Sequence, residues 1–529
     1  MLPYLPTFAV LVLGCALTAY RQHRQDRALP KLDEESELRT KTADAEAAAK
    51  NFKWIFLPVY LLVMGSDWLQ VSPPLPSNVT LDTNIFKGPY IYTLYKDEKG
   101  LEESVVAALF LTGFGSAAVS ATFLGSLADK FGRRFACVGF CVVYILSCMS
   151  TLLDDLVILF VGRMLGGIAT TLMYSVFESW MVTEYHHRRL DQSSLTLSSL
   201  FGLMTTLNSS VAIGAGLLGQ LAVSFFQTKT SPFMVSIILL GSAAWYMMAE
   251  WVSSSMSARL RCMLIFIQNE NHGDSASSTF STPSKSTLSI LLNGELRTLP
   301  KESDHSLTCV IDKRILVLGF ISTCFEGSMY LFIFFWSAAL KSAHLTSSTP
   351  TSDLPHGIIF ASFMCSMMLG SLFFSIASTL VKRSYLTTTS MLTITIGAAG
   401  SFLMIPIFVH SETLTLWCFC LYELCVGVYY PCMGYQKGKV IDDGVRAQIY
   451  GVLRIPLNIF VVANLALTSE GDEHRDKVFL FCGGLLLVAS VVAANFLDDA
   501  GSGVLYGQAS GPGMVSEGEE LLDSDSART

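Results

Sequence analysis

This sequence is poor in charge. Of 529 residues only 15% are Asp, Glu, Lys or Arg, against 51% hydrophobic residues and a mean hydropathy of +0.48. Soluble domains carry about 25% charged residues, so the composition argues against a string of soluble domains and for one large helical membrane domain. Clustered cations are also missing. The net charge of −8 sits at one end, because segment 498–529 holds seven acidic residues and a single arginine. The remainder is nearly neutral and offers no basic patch for nucleic acid. Thirteen cysteines occur without one CxxC pair, which argues against a zinc or disulfide framework and leaves them as small residues of apolar runs. Neither a P-loop nor a catalytic-triad signature is present, which excludes an ATP-driven pump or an enzyme, and no cofactor is expected.

Long apolar runs, by contrast, abound. A helix needs about 20 residues to cross about 30 Å of hydrocarbon, and thirteen stretches qualify. One, 1–20, stands apart. No cation precedes its apolar run, while Arg21, Arg24 and Arg27 follow it. That is the reverse of a secretory signal, so an uncleaved helix with its N-terminus outside is expected, with a cleaved signal as the rival reading. After a cytosolic linker, 21–51, come twelve core spans: 52–70, 104–128, 135–153, 156–180, 198–223, 232–251, 315–340, 356–381, 386–410, 413–433, 446–468 and 477–497. They divide into two six-helix halves, 52–251 and 315–497, around a central loop, 252–314. Both that loop and the acidic tail 498–529 are expected to be cytosolic, the tail disordered. The tail carries Glu517-x-x-x-Leu521-Leu522, an acidic dileucine pattern of the endosomal sorting type.

Basic residues set the orientation. With segment 21–51 inside, 26 of the 35 Lys and Arg residues fall on or at the edge of the cytosolic face and seven on or at the edge of the other; the remaining two, Arg163 and Arg454, lie deep within spans. One stretch is irregular. Val71–Lys87, with Pro73, Pro74 and Pro76, interrupts the first core helix. It reads either as an outer loop, with Asn78-Val-Thr as a glycosylation acceptor, or as a retained intron of 51 nucleotides.

Between the second and third core spans the chain reads Gly125-Ser-Leu-Ala-Asp129-Lys130-Phe-Gly132-Arg133-Arg134. Gly125 lets helices approach closely, and Gly132 permits a turn that a Cβ would hinder. Asp129 sits among three cations and is placed to pair with them or with an adjacent helix end. The spacing resembles the major facilitator signature GxxxD(R/K)xGR(R/K) at every specified position. The resemblance implies twelve spans in two halves and a loop that latches the halves in one of their states. The counterpart after the eighth span keeps Gly370-Ser-Leu and Lys382-Arg383 but lacks the acid. A short echo relates the halves: Arg163 precedes Gly167 as Glu423 precedes Gly427.

Five ionisable residues fall near mid-span: Asp67, Arg163, Glu326, Glu423 and Arg454. Each costs at least about 2.5–3.5 kcal/mol at the bilayer centre, so each needs a reason to be there. Arg163 and Arg454 suit an oxyanion, because guanidinium matches its geometry and keeps its charge. Asp67, Glu326 and Glu423 would balance them or carry protons; pairing that merely holds helices together is the rival reading. In the fold that the resemblance implies, the first, fourth, seventh and tenth spans line a central cavity, and each carries one of these charges. Glu178, Glu184 and Glu250 lie nearer the cytosolic face, where gate contacts or snorkelling are expected.

More closely, the chain resembles the molybdate-anion transporter family of that superfamily over nearly all of 51–500. The carriers are Asp67-Trp68-Leu69-Gln70 with Gly88-Pro89-Tyr90, Val161-Gly162-Arg163 through Gly167, Phe177-Glu178-Ser179-Trp180, Phe325-Glu326, Met368-Leu-Gly-Ser371, Tyr430-Pro431 and Arg454-Ile-Pro456-Leu457. The extra N-terminal helix also looks like this family. The resemblance implies an all-α major facilitator fold plus that helix, a multi-pass place in the plasma membrane or an endosomal or vacuolar one, and import of molybdate or a similar small anion. Two arginines against three carboxylates are not net positive, so proton-coupled import is the mechanistic expectation. The alternatives are a carrier of sulfate, an organic anion or a sugar, or a non-transporting receptor or scaffold.

Overall fold

The computed structural model describes residues 3–28, 36–71, 91, 94–193, 195–251, 313–346, 354–381, 387–409, 411–466 and 472–497. Asn78, the dileucine pattern and Lys382-Arg383 lie outside them. The described chain folds into fourteen α-helices: α1 (Tyr4–Ala28), α2 (Ser36–Val71), α3 (Glu103–Ala121), α4 (Leu124–Phe131), α5 (Arg133–Ser150), α6 (Leu156–His187), α7 (Leu197–Phe226), α8 (Ser231–Glu250), α9 (Lys313–Thr346), α10 (His356–Val381), α11 (Thr388–Phe408), α12 (Glu412–Val440), α13 (Arg446–Ala466) and α14 (Asp472–Phe496). All except α4 are long and apolar enough to cross a membrane.

The helix starts follow from local chemistry. Asp155, Thr196 and Thr387 accept from the amides of Ile158, Ser199 and Ser390, capping α6, α7 and α11. Pro232 occupies the first turn of α8, where its missing amide costs nothing. The single helix expected over 104–128 is broken in two. Thr122 bonds back to Val119 by a tight i→i−3 contact and Phe123 leaves helical geometry. That break turns α4 to lie against α13.

Two hydrophobic cores form, one around α2 and α5–α8, the other around α9–α12 and α14. In the first, Trp180 stacks on Trp251 with ring centroids 3.6 Å apart. α1 belongs to the second: it packs along α10, buries Tyr4, Leu11 and Cys15 there, and places the Tyr4 hydroxyl on Glu412. The halves meet along two seams, α13 against α3, α4 and α6, and α7 against α10 and α12. Glycine echoes across the halves have a common cause. A Cβ on Gly167 would strike the Gly113 carbonyl of α3; one on Gly427 would strike the Met367 carbonyl of α10. Each glycine lets two helices of its own half cross closely.

Candidate functional site

The signature residues of α4 and α5 form a buried joint between the halves. Asp129 and Arg133 are fully buried and paired, with both Nε and Nη2 of Arg133 at 2.8 Å from Oδ1. The other carboxylate oxygen crosses to the second half and accepts from the Gln448 amide at 2.9 Å. That amide belongs to the first turn of α13, whose unpaired N–H groups favour an anion. Arg133 also donates to Thr183 at 2.5 Å and to the Asp443 carbonyl. Gly125 lies directly on the Ala447 carbonyl, so a side chain there would part the helices. Gly132 has φ 106°, a conformation that favours glycine. Lys130 stays half-exposed over the Phe131 ring, and Arg134 is buried at the start of α5.

Toward mid-span, opposite charges of the second half come together beside Tyr174 and Glu178 of the first. Arg454 Nη1 lies 3.7 Å from Glu326 Oε2, and Lys437 Nζ lies 4.0 Å from Glu326 Oε1. Glu326 is held by the Ser322 hydroxyl at 2.6 Å and the Tyr429 hydroxyl at 3.3 Å. The Arg454 guanidinium sits 4.1 Å from the centroid of the Tyr174 ring, which comes from the other half, and Tyr330 flanks it. Such a cation over an aromatic face is stabilised, the more so when desolvated. One layer nearer the joint, Glu178 of α6 neighbours Lys437, Tyr450 and Arg446. Arg446 itself is buried and bound to Asp443 at 2.5 Å, while Asp443 meets His186 of the other half at 3.0 Å.

The five mid-span charges are therefore not one cluster. Glu326 and Arg454 meet. Asp67 accepts from Tyr144 of α5 at 2.7 Å and neighbours Tyr174 and, across the junction, Tyr330. Arg163 turns toward α3, its guanidinium 5.2 Å from the Phe110 ring and Nε 3.5 Å from the Leu109 carbonyl. The cause is the crossing at Gly167: four residues earlier, Arg163 overlies the same neighbour. Glu423 stands four residues before Gly427 in the matching crossing; it is buried and makes no ion pair among the described residues.

Sequence reasoning missed Lys437 and the tyrosines. Lys437 was counted with the basic face, yet it continues a seven-residue spacing, Glu423, Tyr430, Lys437, along one side of α12. Three other helices carry a tyrosine one turn from a charge: Tyr174 and Glu178, Glu326 and Tyr330, Tyr450 and Arg454. That i,i+4 pairing was the available signal.

Chemically the central set is two cations, Arg454 and Lys437, against two carboxylates, Glu326 and Glu178, ringed by Tyr174, Tyr330, Tyr429, Tyr430 and Tyr450. Buried tyrosine hydroxyls and cations can receive the oxygens of a polar solute. The solved structure of a bacterial homologue of the iron transporter ferroportin, in an outward-facing state, superposes with a TM-score of 0.57 at 12% identity over 84% of this chain and 99% of that one. The human organic anion transporter MFSD10 gives 0.51 at 12% identity, over 84% and 99%. At such identities they establish the fold. In sequence, the molybdate-anion transporter of Takifugu rubripes is 29% identical over 85% of this chain and 88% of its own length. Residues 29–259 and 301–424, more than half of the chain, match the family model MFS_5, described as sugar transporters with twelve transmembrane spans, and the chain belongs to that family of multi-pass membrane proteins of the major facilitator superfamily.

Proposed function

We propose that this protein imports molybdate, or a tetrahedral oxyanion of like charge, by alternating access of a site centred on Arg454, Glu326 and Lys437. The observation that carries the reading is the position of Glu326: a carboxylate bracketed by two cations where the halves meet. Guanidinium and ammonium groups that hold a carboxylate at 3.7 and 4.0 Å are spaced loosely enough for a doubly charged oxyanion to compete for them. The name borne by the relatives supplies the substrate.

Charge balance supplies the coupling. Arg454 and Lys437 are matched by Glu326 and Glu178, so a dianion entering this set leaves two negative charges uncompensated in a low-dielectric slab. Such an imbalance is relieved by protons entering with it. The buried Asp129–Arg133 joint holds the halves together at the basic face, so the opposite face is the route of entry. Loading lowers the free energy of the alternative state, and the halves rock to release the anion.

The test is uptake of labelled molybdate by cells expressing the full chain, with tungstate, sulfate and hexose as competitors and a protonophore in a parallel arm. Saturable uptake blocked by tungstate and by the protonophore is expected. Uptake equal to that of cells lacking the chain would end the reading, and uptake indifferent to the protonophore would remove the coupling. A second reading, a hexose carrier, draws on the ring of tyrosines and the description of the family model; saturable hexose uptake that molybdate leaves untouched would establish it instead.

A further inference from the structure

α13 presents two buried donors that no acceptor satisfies. Arg454 is 8% exposed and Asn458 3% exposed. Among the described residues, Nε of Arg454 and Nδ2 of Asn458 have no hydrogen-bond partner. The two residues stand four apart and so share a face of the helix, about one turn from each other. Helical side chains lean toward the N-terminus of their helix, which brings the Asn458 amide back over the turn that carries Arg454. The guanidinium cannot swing away: its Nη edge faces Glu326 at 3.7 Å and its plane lies on Tyr174. Its Nε is buried and makes no hydrogen bond. Buried donors without acceptors are costly and uncommon in native proteins, and both of these belong to a helix at the junction of the halves.

We propose that Arg454 Nε and Asn458 Nδ2 form a two-donor clamp for adjacent oxygens of one tetrahedral oxyanion, which makes Asn458 a substrate-contacting, specificity-determining residue. The clamp rests on the transport reading above and refines it. The substrate takes the Nε edge while it competes with Glu326 for the Nη edge. Two N–H donors, one cationic and one neutral, select oxygens by their separation, so molybdate and tungstate, which are nearly the same size, are treated alike, and the smaller sulfate is disfavoured. Asn458→Asp places an acceptor and a negative charge where the oxyanion needs a donor. Arg454→Lys keeps the charge and removes the Nε donor.

The experiment measures molybdate KM, maximal uptake and sulfate competition for the full chain and for Asn458→Ala, Asn458→Asp and Arg454→Lys, each normalised to protein at the membrane. A rise in KM of roughly tenfold is expected for Asn458→Ala, with maximal uptake retained. Sulfate should compete better relative to tungstate in that variant. Asn458→Asp should lose saturable uptake, and Arg454→Lys should copy the altered sulfate preference. A merely structural Asn458 would lower the amount of protein or the maximal rate and leave the competitor order alone. If wild type transports molybdate while all three variants keep its KM and competitor order, the clamp is wrong and the transport reading stands. If wild type takes up neither molybdate, tungstate nor sulfate, both fall together.

Discussion

The two seams between the halves are built from different chemistry. Where α13 meets α3, α4 and α6, the contact is charged and buried: Asp129, Arg133, the Gln448 amide, Asp443 and Arg446. Where α7 meets α10 and α12, it is made of small residues and rings. Phe201 lies against Gly434, Leu197 against Gly438, Gly202 against Ser375, and the Thr206 hydroxyl bonds Ser371 at 2.7 Å. A buried ion pair has one good geometry and resists partial opening, whereas a smooth seam of glycines and methyl-sized groups can slide. In the alternating-access cycle proposed above, the first seam would be the catch and the second the bearing. The second half's counterpart of the signature lacks the acid in sequence, and among the described residues the charged contacts between the halves cross the first seam.

The largest effect should come from breaking the catch. Removing one member of a buried ion pair costs about 3–5 kcal/mol. Arg133→Ala strands Asp129 against the Gln448 amide and frees α13 from α4. Uptake should fall by two orders of magnitude or more, with the chain still delivered to the membrane. Arg133→Lys should rescue only in part, because ammonium cannot serve Asp129, Thr183 and the Asp443 carbonyl together. Uptake within threefold of wild type in Arg133→Ala would show that the charged seam does not control the cycle.

The central charges come next. Arg454→Ala removes the cation at the junction and leaves Glu326 with Lys437 alone, and uptake should drop about a hundredfold or more. Arg163→Ala should cost far less, roughly three- to tenfold, since that arginine packs on Phe110 and α3. By depth in the membrane alone the two arginines are equivalent. Equal losses of uptake in both variants would restore that equivalence and would mean that Arg163 swings into the site during transport.

The bearing should fail by a different rule. A Cβ on Gly434 would sit 2.6 Å from the Phe201 ring. Gly434→Val therefore overpacks the seam, at about 1–3 kcal/mol, and uptake should fall roughly ten- to a hundredfold. Phe201→Leu in the same chain should recover most of it by making room. Size compensates here and charge compensates at the catch. Failure of the Phe201 change to restore Gly434→Val would place the defect elsewhere than in this contact.

Much of this architecture was legible in the sequence, and the reason is physical. Twelve spans and one extra helix follow from apolar run length, which a bilayer enforces directly. The catch is written in ten consecutive residues, from Gly125 to Arg134. Its receptor is not, because Asp129 binds a backbone amide of Gln448 and backbone carries no letter. Depth in the membrane could be read for Arg163, Glu326 and Arg454, since it needs only a count along a helix. Direction could not, because it depends on how the glycine crossings at Gly167 and Gly427 rotate each helix. Lys437 was hidden by its place near a helix end, where a lysine ordinarily marks the basic face. The break at Thr122 and Phe123 was hidden as well, since both residues sit comfortably inside an apolar run and only the docking of α4 on α13 makes the bend worthwhile.

The smallest expected effect is the sharpest test of the bearing. Thr206 and Ser371 share a hydroxyl contact across the second seam at 2.7 Å, and each also lies within hydrogen-bond distance of a carbonyl of its own helix, Gly202 at 3.0 Å and Met368 at 2.9 Å, so whichever donates its one hydrogen across the seam has that carbonyl to return to. Neither hydroxyl is stranded when the other is removed, so Thr206→Val should forfeit only about 0.5–1.5 kcal/mol. Its branched side chain keeps the shape of threonine, so the seam stays packed. Uptake should change by less than about tenfold, and in a direction set by which state the contact favours. A gain of uptake would mean that the hydroxyl pair holds the resting state shut, as a weak second catch. A modest loss would mean that the pair forms when the halves have moved. A collapse of uptake comparable to Arg133→Ala would erase the distinction between the seams, because a contact with satisfied partners on both sides has no physical means of weighing as much as a buried ion pair.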